Sequence, residues 1–440
     1  MRTTRHRRLR AAAIAIATVA ALGLTACASG PTTPTDDPNE KITLTFWAWA
    51  GGIEDTVKLY EKTHPNVTIK VENVGFGTDV YTKIQNAVDA GSGGPDLSQM
   101  DYFAIPSFAL SGALASLEDY GAKDAEKLFL PSAWNNVKSA DGVYGIPQDI
   151  GPAVMYYRQD ILDQLGLTVP KTWDEYAKMA EVIKASDPNR YITFMDPGLA
   201  EQSYMGLWQA GSKPWSIDGD TITLNFADKD AVKYADYWSD LLDRGLVEEA
   251  TQGADDWFKQ LGDGQLVTWM VGSWGYGPLA SVLPDNSGLW RAAPQPVWNE
   301  GDKAAAQFGG GGTVVLDQSA HKQAATDFAI WLNSDPEAVA SLQANGLTPT
   351  TAAVWKDSSF LDQKIAYLGD QQANKIFAQA ADDTVAGWSW LPIMVYATSV
   401  YKDTIGQSIS SKGDLNDGFA AFQDRLAEYA KQQGFTVKTG

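Results

Sequence analysis

The sequence predicts an α/β fold, and three observations carry that prediction. From Lys41 onward, runs of two-residue apolar alternation take turns with runs of helical period. Gly and Pro fall between these runs and punctuate them. Lys41 to Asp101 reads strand–helix–strand–helix–strand, the order of a parallel α/β unit.

Lys41–Ala50 (KITLTFWAWA) alternates and then turns apolar, an opening strand broken by Gly51-Gly52. Ile53–Lys62 is a helix stopped by His64-Pro65, and Val67–Val71 a second strand. After a Gly75-Phe76-Gly77 loop, Asp79–Ala90 places Val80, Ile84, Ala87 and Val88 on one helical face. Asp96–Asp101 closes the unit as a short strand. Ala153–Tyr157 (AVMYY) is a strand, and Asp160–Leu165 a short helix ending at Gly166. Thr172-Trp173-Asp174-Glu175 is a capping box opening a helix through Lys184. Asp218-Gly219-Asp220 reads as a hairpin turn; its acids lack the spacing of a calcium loop. Lys229–Arg244 is helical, Leu266–Val271 and Thr313–Leu316 are strands, and His321–Asn333 is helical. Pro278 suits the first position of a helix. Leu361–Ala380 and Asp417–Gln432 read as helices, so the C-terminal part is mostly α.

Ahead of this body stands a leader. Arg2, Arg5, Arg7, Arg8 and Arg10 precede an apolar run, Ala11–Gly23, too short to span a bilayer and of secretory length. It ends in Leu24-Thr25-Ala26-Cys27, which resembles the bacterial lipobox, and Cys27 is the only cysteine in 440 residues. Residues 1–26 are thus expected to be a signal peptide and Cys27 a lipidated new N-terminus, tethered by the Pro/Thr-rich residues 27–40. Without the five arginines, 29 basic residues face 54 acidic ones, a net charge of −25. That balance argues against nucleic acid and anionic lipid as partners and suits an exported, soluble body. Sixteen tryptophans is heavy usage. Some must be core, but indole is also a flat apolar face with a polar N–H.

Several segments, in order, resemble the family 1 extracellular solute-binding proteins, the carbohydrate-binding subunits of ATP-binding-cassette importers of the maltose-binding-protein type. They are the lipobox and ITLTFWAWAGG, GGPDLSQMDYFAIPSFALSGALASLEDY, YGIPQDIGPAVMYYRQDIL with PKTWDEYAKMAEVIK, GDGQLVTWMVGSWGYGPL, and FGGGGTVVLDQSAHKQAATDFAIWLNSDPEAVASLQANGLTPTTAAV. The resemblance covers about residues 20–355 and is carried by order and spacing more than by any one segment. It implies a two-lobe clamp, each lobe a central sheet flanked by helices, with ligand in the cleft. The implied crossings lie near Pro147–Asp149, Gly309–Gly312 and the 350s. That puts residues 41–148 and 310–352 in one lobe, and residues 149–309 and 353–440 in the other.

A sugar presents C–H faces and a rim of hydroxyls, so its site needs aromatic planes and fixed acceptors. Trp274, flanked by small residues, and Trp388 and Trp390 stand where the family brings aromatics to the cleft; a core role for each is the alternative. Trp47 and Trp49 alternate on the first strand, and Trp49, nearer its C-terminal end, is the better site candidate. Tyr81, Tyr102 and Tyr276 are candidate walls. Asp101 and Asp149 are candidate hydroxyl acceptors by the same resemblance, against structural capping. Gly310 and Gly311, in a run of four glycines before a strand, suit a hinge and a close backbone approach to ligand. No metal or other cofactor is expected: His64 and His321 have no histidine or cysteine nearby. Neither Gly-x-Ser-x-Gly nor a P-loop pattern occurs. The expected function is extracellular binding of a sugar, an oligosaccharide, by a lipid-anchored monomer that delivers ligand to membrane permease subunits. The alternatives are the same scaffold holding a polyamine or glycerol phosphate and, more remotely, a glycoside hydrolase.

Overall fold

Three parallel strands, β1 (Ile42–Trp47), β2 (Val67–Glu72) and β3 (Leu97–Asp101), open the body with β1 in the middle. In this computed structural model residues 40–139 and 142–440 are described; the leader, Cys27 and nearly all of the tether lie outside them. The crossover helices are α1 (Ile53–Thr63) and α2 (Thr78–Ala90). Val80, Ile84 and Ala87 of α2 are buried on the face their spacing predicts, and Gly91 ends the helix in the left-handed conformation. Helices Lys322–Ser334 and Pro336–Ala344 pack beside α1.

Two long strands carry the sheet onward. Ile146–Arg158 pairs through its first residues with strand Gln307–Val315, which in turn pairs with β3. Through its later residues Ile146–Arg158 pairs antiparallel with Thr268–Gly272 and Trp290–Pro294. One seven-stranded sheet therefore runs through both groups of elements. The second group adds helices Trp173–Ser186, Ala200–Ala210 and Lys229–Asp243 and most of the C-terminal helices, ending in Leu415–Gln432. The capping box forms as expected: the Thr172 hydroxyl accepts from the Glu175 N–H at 3.2 Å, and the Glu175 carboxylate accepts from the Thr172 N–H. The Asp218–Asp220 turn joins strands Trp215–Asp218 and Thr221–Leu224.

Four local expectations need correction. The strand expected over Ala153–Tyr157 begins at Ile146, despite Pro147, Gly151 and Pro152. Both prolines pair where the register with Gln307–Val315 shifts, and such irregularities tolerate the missing N–H. The glycines Gly309–Gly312 lie inside that neighbouring strand, not in a loop before it. Leu361–Ala380 is not one helix: Ser358–Leu361 and Ala373–Asp382 are separated by a turn in which Gly369 and Asp370 take φ of 64° and 62°. Pro278 occupies the third position of helix Tyr276–Val282, still among the positions whose N–H has no intrahelical partner.

Candidate functional site

Asp101 is the last residue of β3, so the pleat and the end of the strand project it past the sheet edge. The hydroxyl of Tyr81, from α2, donates to its carboxylate and accepts from its backbone N–H. Burial raises the Asp101 carboxyl to about 6, against the lowering effect of that hydroxyl. Asp149 sits in the long strand Ile146–Arg158, and its carboxylate accepts from the Thr348 N–H at 2.7 Å. Burial, opposed by that N–H and reinforced by the charge of Asp101, lifts it to about 8.

A third carboxylate was missed in the sequence. Glu201, in the first turn of helix Ala200–Ala210, is raised to about 7, mainly by burial and further by Asp101 and Asp196. Its only sequence signal was an acid at a helix start, which ordinarily means a dipole contact. No cation is among the groups that shift these three. Nor, among the described residues, does any group of three acids, histidines or cysteines stand where it could hold a metal ion.

The aromatics form one cluster in which Trp390 meets Trp388, Trp208 and Trp215 at 5.7, 6.3 and 6.5 Å and also reaches beyond them. Trp390 meets Phe103, just past Asp101, at 6.4 Å between ring centroids, and Tyr204, one turn along from Glu201, at 6.1 Å. Trp390 thus joins the first group of elements to the second, as does the Val395 N–H reaching Ser107 Oγ at 3.5 Å. Trp388 instead stacks on Trp208 at 5.2 Å and 4° and meets Trp215 at 4.8 Å. The indole N–H groups of Trp208 and Trp215 donate to the carbonyls of Val385 and Ser389, pinning the segment that carries both candidates. Tyr102 Oη and the Nε1 atoms of Trp388 and Trp390 are buried without a hydrogen-bond partner. Such donors are costly to leave unmet.

Trp274 lies on a floor of glycine. Its Nε1 donates to the Phe308 carbonyl at 2.9 Å, and it stands within about 3.3 Å of where a Cβ on Gly151, Gly272 or Gly309 would be. The Tyr102 N–H donates to the Gly310 carbonyl at 3.2 Å, while a Cβ on Gly311 would meet the Met100 carbonyl at 2.6 Å. These glycines let three strands close up beside Asp101 and Asp149. Trp49 is half-buried past the end of β1, with Gln99 Oε1 accepting from its N–H and that of Ala50. Trp47 is core, its Nε1 bound to Glu72. Tyr276 stacks on Phe377 at 6.3 Å, stands near enough to Asp149 to feel its charge, and lines a cavity of about 570 Å³ with Leu128, Val339, Leu347 and Thr348. None of the three carboxylates lines that cavity.

The structure therefore brings Tyr81, Asp101, Asp149 and Trp390 into one neighbourhood with Glu201. Tyr102, Gly310 and Gly311 stand at its strand floor. Trp388 shares an aromatic cluster with Trp390, Trp208 and Trp215, and Tyr276, under the charge of Asp149, lines the cavity beside Thr348. The arrangement offers acceptors, unpaired donors and aromatic planes, with no cation among the groups acting on its acids. Acceptors, unpaired donors and aromatic planes are the groups that a hydroxyl-rich neutral molecule would meet.

Comparison with known proteins agrees with this chemistry. A solved binding protein of an ATP-binding-cassette transporter from Bifidobacterium animalis subsp. lactis, in complex with β-1,6-galactobiose, is 33% identical, with a TM-score of 0.84 over 91% of this chain and 100% of that one. An arabinooligosaccharide-binding protein from Halalkalibacterium halodurans is 26% identical over 346 residues, 76% of each chain. A maltooligosaccharide ABC transporter solute-binding lipoprotein from Streptococcus pneumoniae is 27% identical over 70% of this chain and 72% of its own. Residues 40–339 match the model of the bacterial extracellular solute-binding proteins, and the chain belongs to that family.

Proposed function

We propose that this chain captures a neutral oligosaccharide outside the cell and delivers it to the permease of an ATP-binding-cassette importer. The observation that carries this reading is the Asp101 carboxylate acting on both Asp149 and Glu201, with the unpaired Tyr102 hydroxyl near Asp149 and the Trp390 ring against Phe103 and Tyr204. Sugar hydroxyls supply the donors that the carboxylates lack, and their oxygens accept from the two orphan groups. Residues 41–148 with 310–352, and 149–309 with 353–440, act as the two lobes, closing on ligand about the strands Ile146–Arg158 and Gln307–Val315. Cys27 carries the lipid, and the body works as a monomer at the outer face of the membrane. Carboxylates are abundant, but the assigned role is binding without hydrolysis, in keeping with relatives that are binding proteins.

The test is calorimetric titration of protein lacking residues 1–27 against β-1,6-galactobiose, arabino-oligosaccharides, maltodextrins, lactose and spermidine. Saturable binding of one neutral sugar series, with the sugar recovered intact by chromatography, is expected. Binding of spermidine alone, or released monosaccharide, would overturn the reading.

A further inference from the structure

Phe76 is the most exposed large apolar side chain among the described residues, 76% accessible. It stands on a built loop. The Gly75 N–H donates to Asn73 Oδ1 at 3.1 Å, the Lys83 ammonium donates to the Val74 carbonyl, and Val74 packs on the core. Gly75 and Gly77 take φ of 108° and 56°, which only glycine adopts readily, so the loop presents the one bulky residue between them to solvent.

The place of this loop is set by the sheet. Trp47 is in register with Glu72 on one side and Ser98 on the other. Trp49, Phe76 and Asp101 therefore all lie beyond the same C-terminal edge of three neighbouring parallel strands, spaced about 4.8 Å apart. Phe76 also leads directly into α2, whose Tyr81 holds Asp101. Phe103, two residues past Asp101, meets Trp390, and Ser107 accepts from the Val395 N–H.

Building on the sugar-binding reading, we infer that Phe76 is an outer subsite, stacking on the residues of an oligosaccharide that project beyond the three carboxylates. It selects for chain length and contributes nothing to the inner units.

Titration of wild type and Phe76→Ala with β-1,6-galactobiose and β-1,6-galactotetraose, or the two- and four-residue members of whichever neutral series binds, separates the roles. The expected result is disaccharide affinity within about twofold and tetrasaccharide affinity lowered by roughly five- to tenfold, on the scale of one aromatic contact. Equal tetrasaccharide affinity in both proteins overturns the subsite; if transport by whole cells then falls, Phe76 belongs to the permease contact. A wild type that binds no member of any series removes the sugar-binding reading and the subsite with it. An unchanged melting temperature for Phe76→Ala excludes a folding defect as the cause of lost affinity.

Discussion

Two tryptophans two residues apart share one aromatic cluster and differ in what they reach beyond it. Both touch Trp208 and Trp215 and both keep a buried N–H without a partner, but only Trp390 also reaches Phe103 and Tyr204, whereas Trp388 lies flat on Trp208. Trp390→Ala should weaken sugar binding by about tenfold or more, a loss of about 1.4 kcal/mol, while melting close to wild type. Trp388→Ala should show the opposite balance: a stability loss of about 2–4 kcal/mol from a vacated aromatic stack, with affinity less affected. Calorimetry and chemical denaturation on the same two proteins decide this. An equal affinity loss in both would place Trp388 in the site as well.

At the scale of elements, the junction between Ile146–Arg158 and Gln307–Val315 is the feature on which the site depends. Its glycines are spatial requirements: a Cβ on Gly151 would stand 2.0 Å from the Phe308 carbonyl and 3.1 Å from Trp274 Nε1. Backbone cannot yield there without parting the strands. Gly151→Ala should therefore destabilise the protein by about 3 kcal/mol, the upper part of the usual overpacking range, and shift the indole of Trp274. Urea denaturation and tryptophan emission check it; a wild-type midpoint would mean that the junction relaxes freely. The prolines beside this glycine hid the strand from sequence reading, since only the partner's shifted register makes them tolerable.

At the scale of the whole molecule, three carboxyls share one neighbourhood and are all raised above their ordinary range, to about 6, 8 and 7 for Asp101, Asp149 and Glu201. Between the ordinary carboxylate range near pH 4 and about pH 8, the folded protein holds protons that the unfolded chain has already released. Stability of the ligand-free protein should accordingly fall as pH rises across that window. Asp149→Asn removes the most strongly raised of these acids. Its melting temperature should exceed that of wild type at pH 8, and the difference should shrink at pH 5, where Asp149 is already neutral. Thermal scans at both pH values test the sign; a wild type that gains stability through this window would contradict the raising of these three carboxyls.

What the sequence determined by itself is the alternation of strands and helices, the capping box at Thr172, the core face of α2, and the placing of Asp101 at a strand end. All of these rest on spacings of a few residues, where the local period and a single cap decide the outcome. What only tertiary structure decided is which candidates face one another. Glu201 acquires its significance from a residue one hundred positions away. Trp388 and Trp390 look alike in sequence and share Trp208 and Trp215, yet only Trp390 reaches Phe103 and Tyr204, and Tyr276 comes under the charge of Asp149 while lining a cavity with Thr348. Burial and the approach of like charges depend on long-range packing, and no local pattern encodes them.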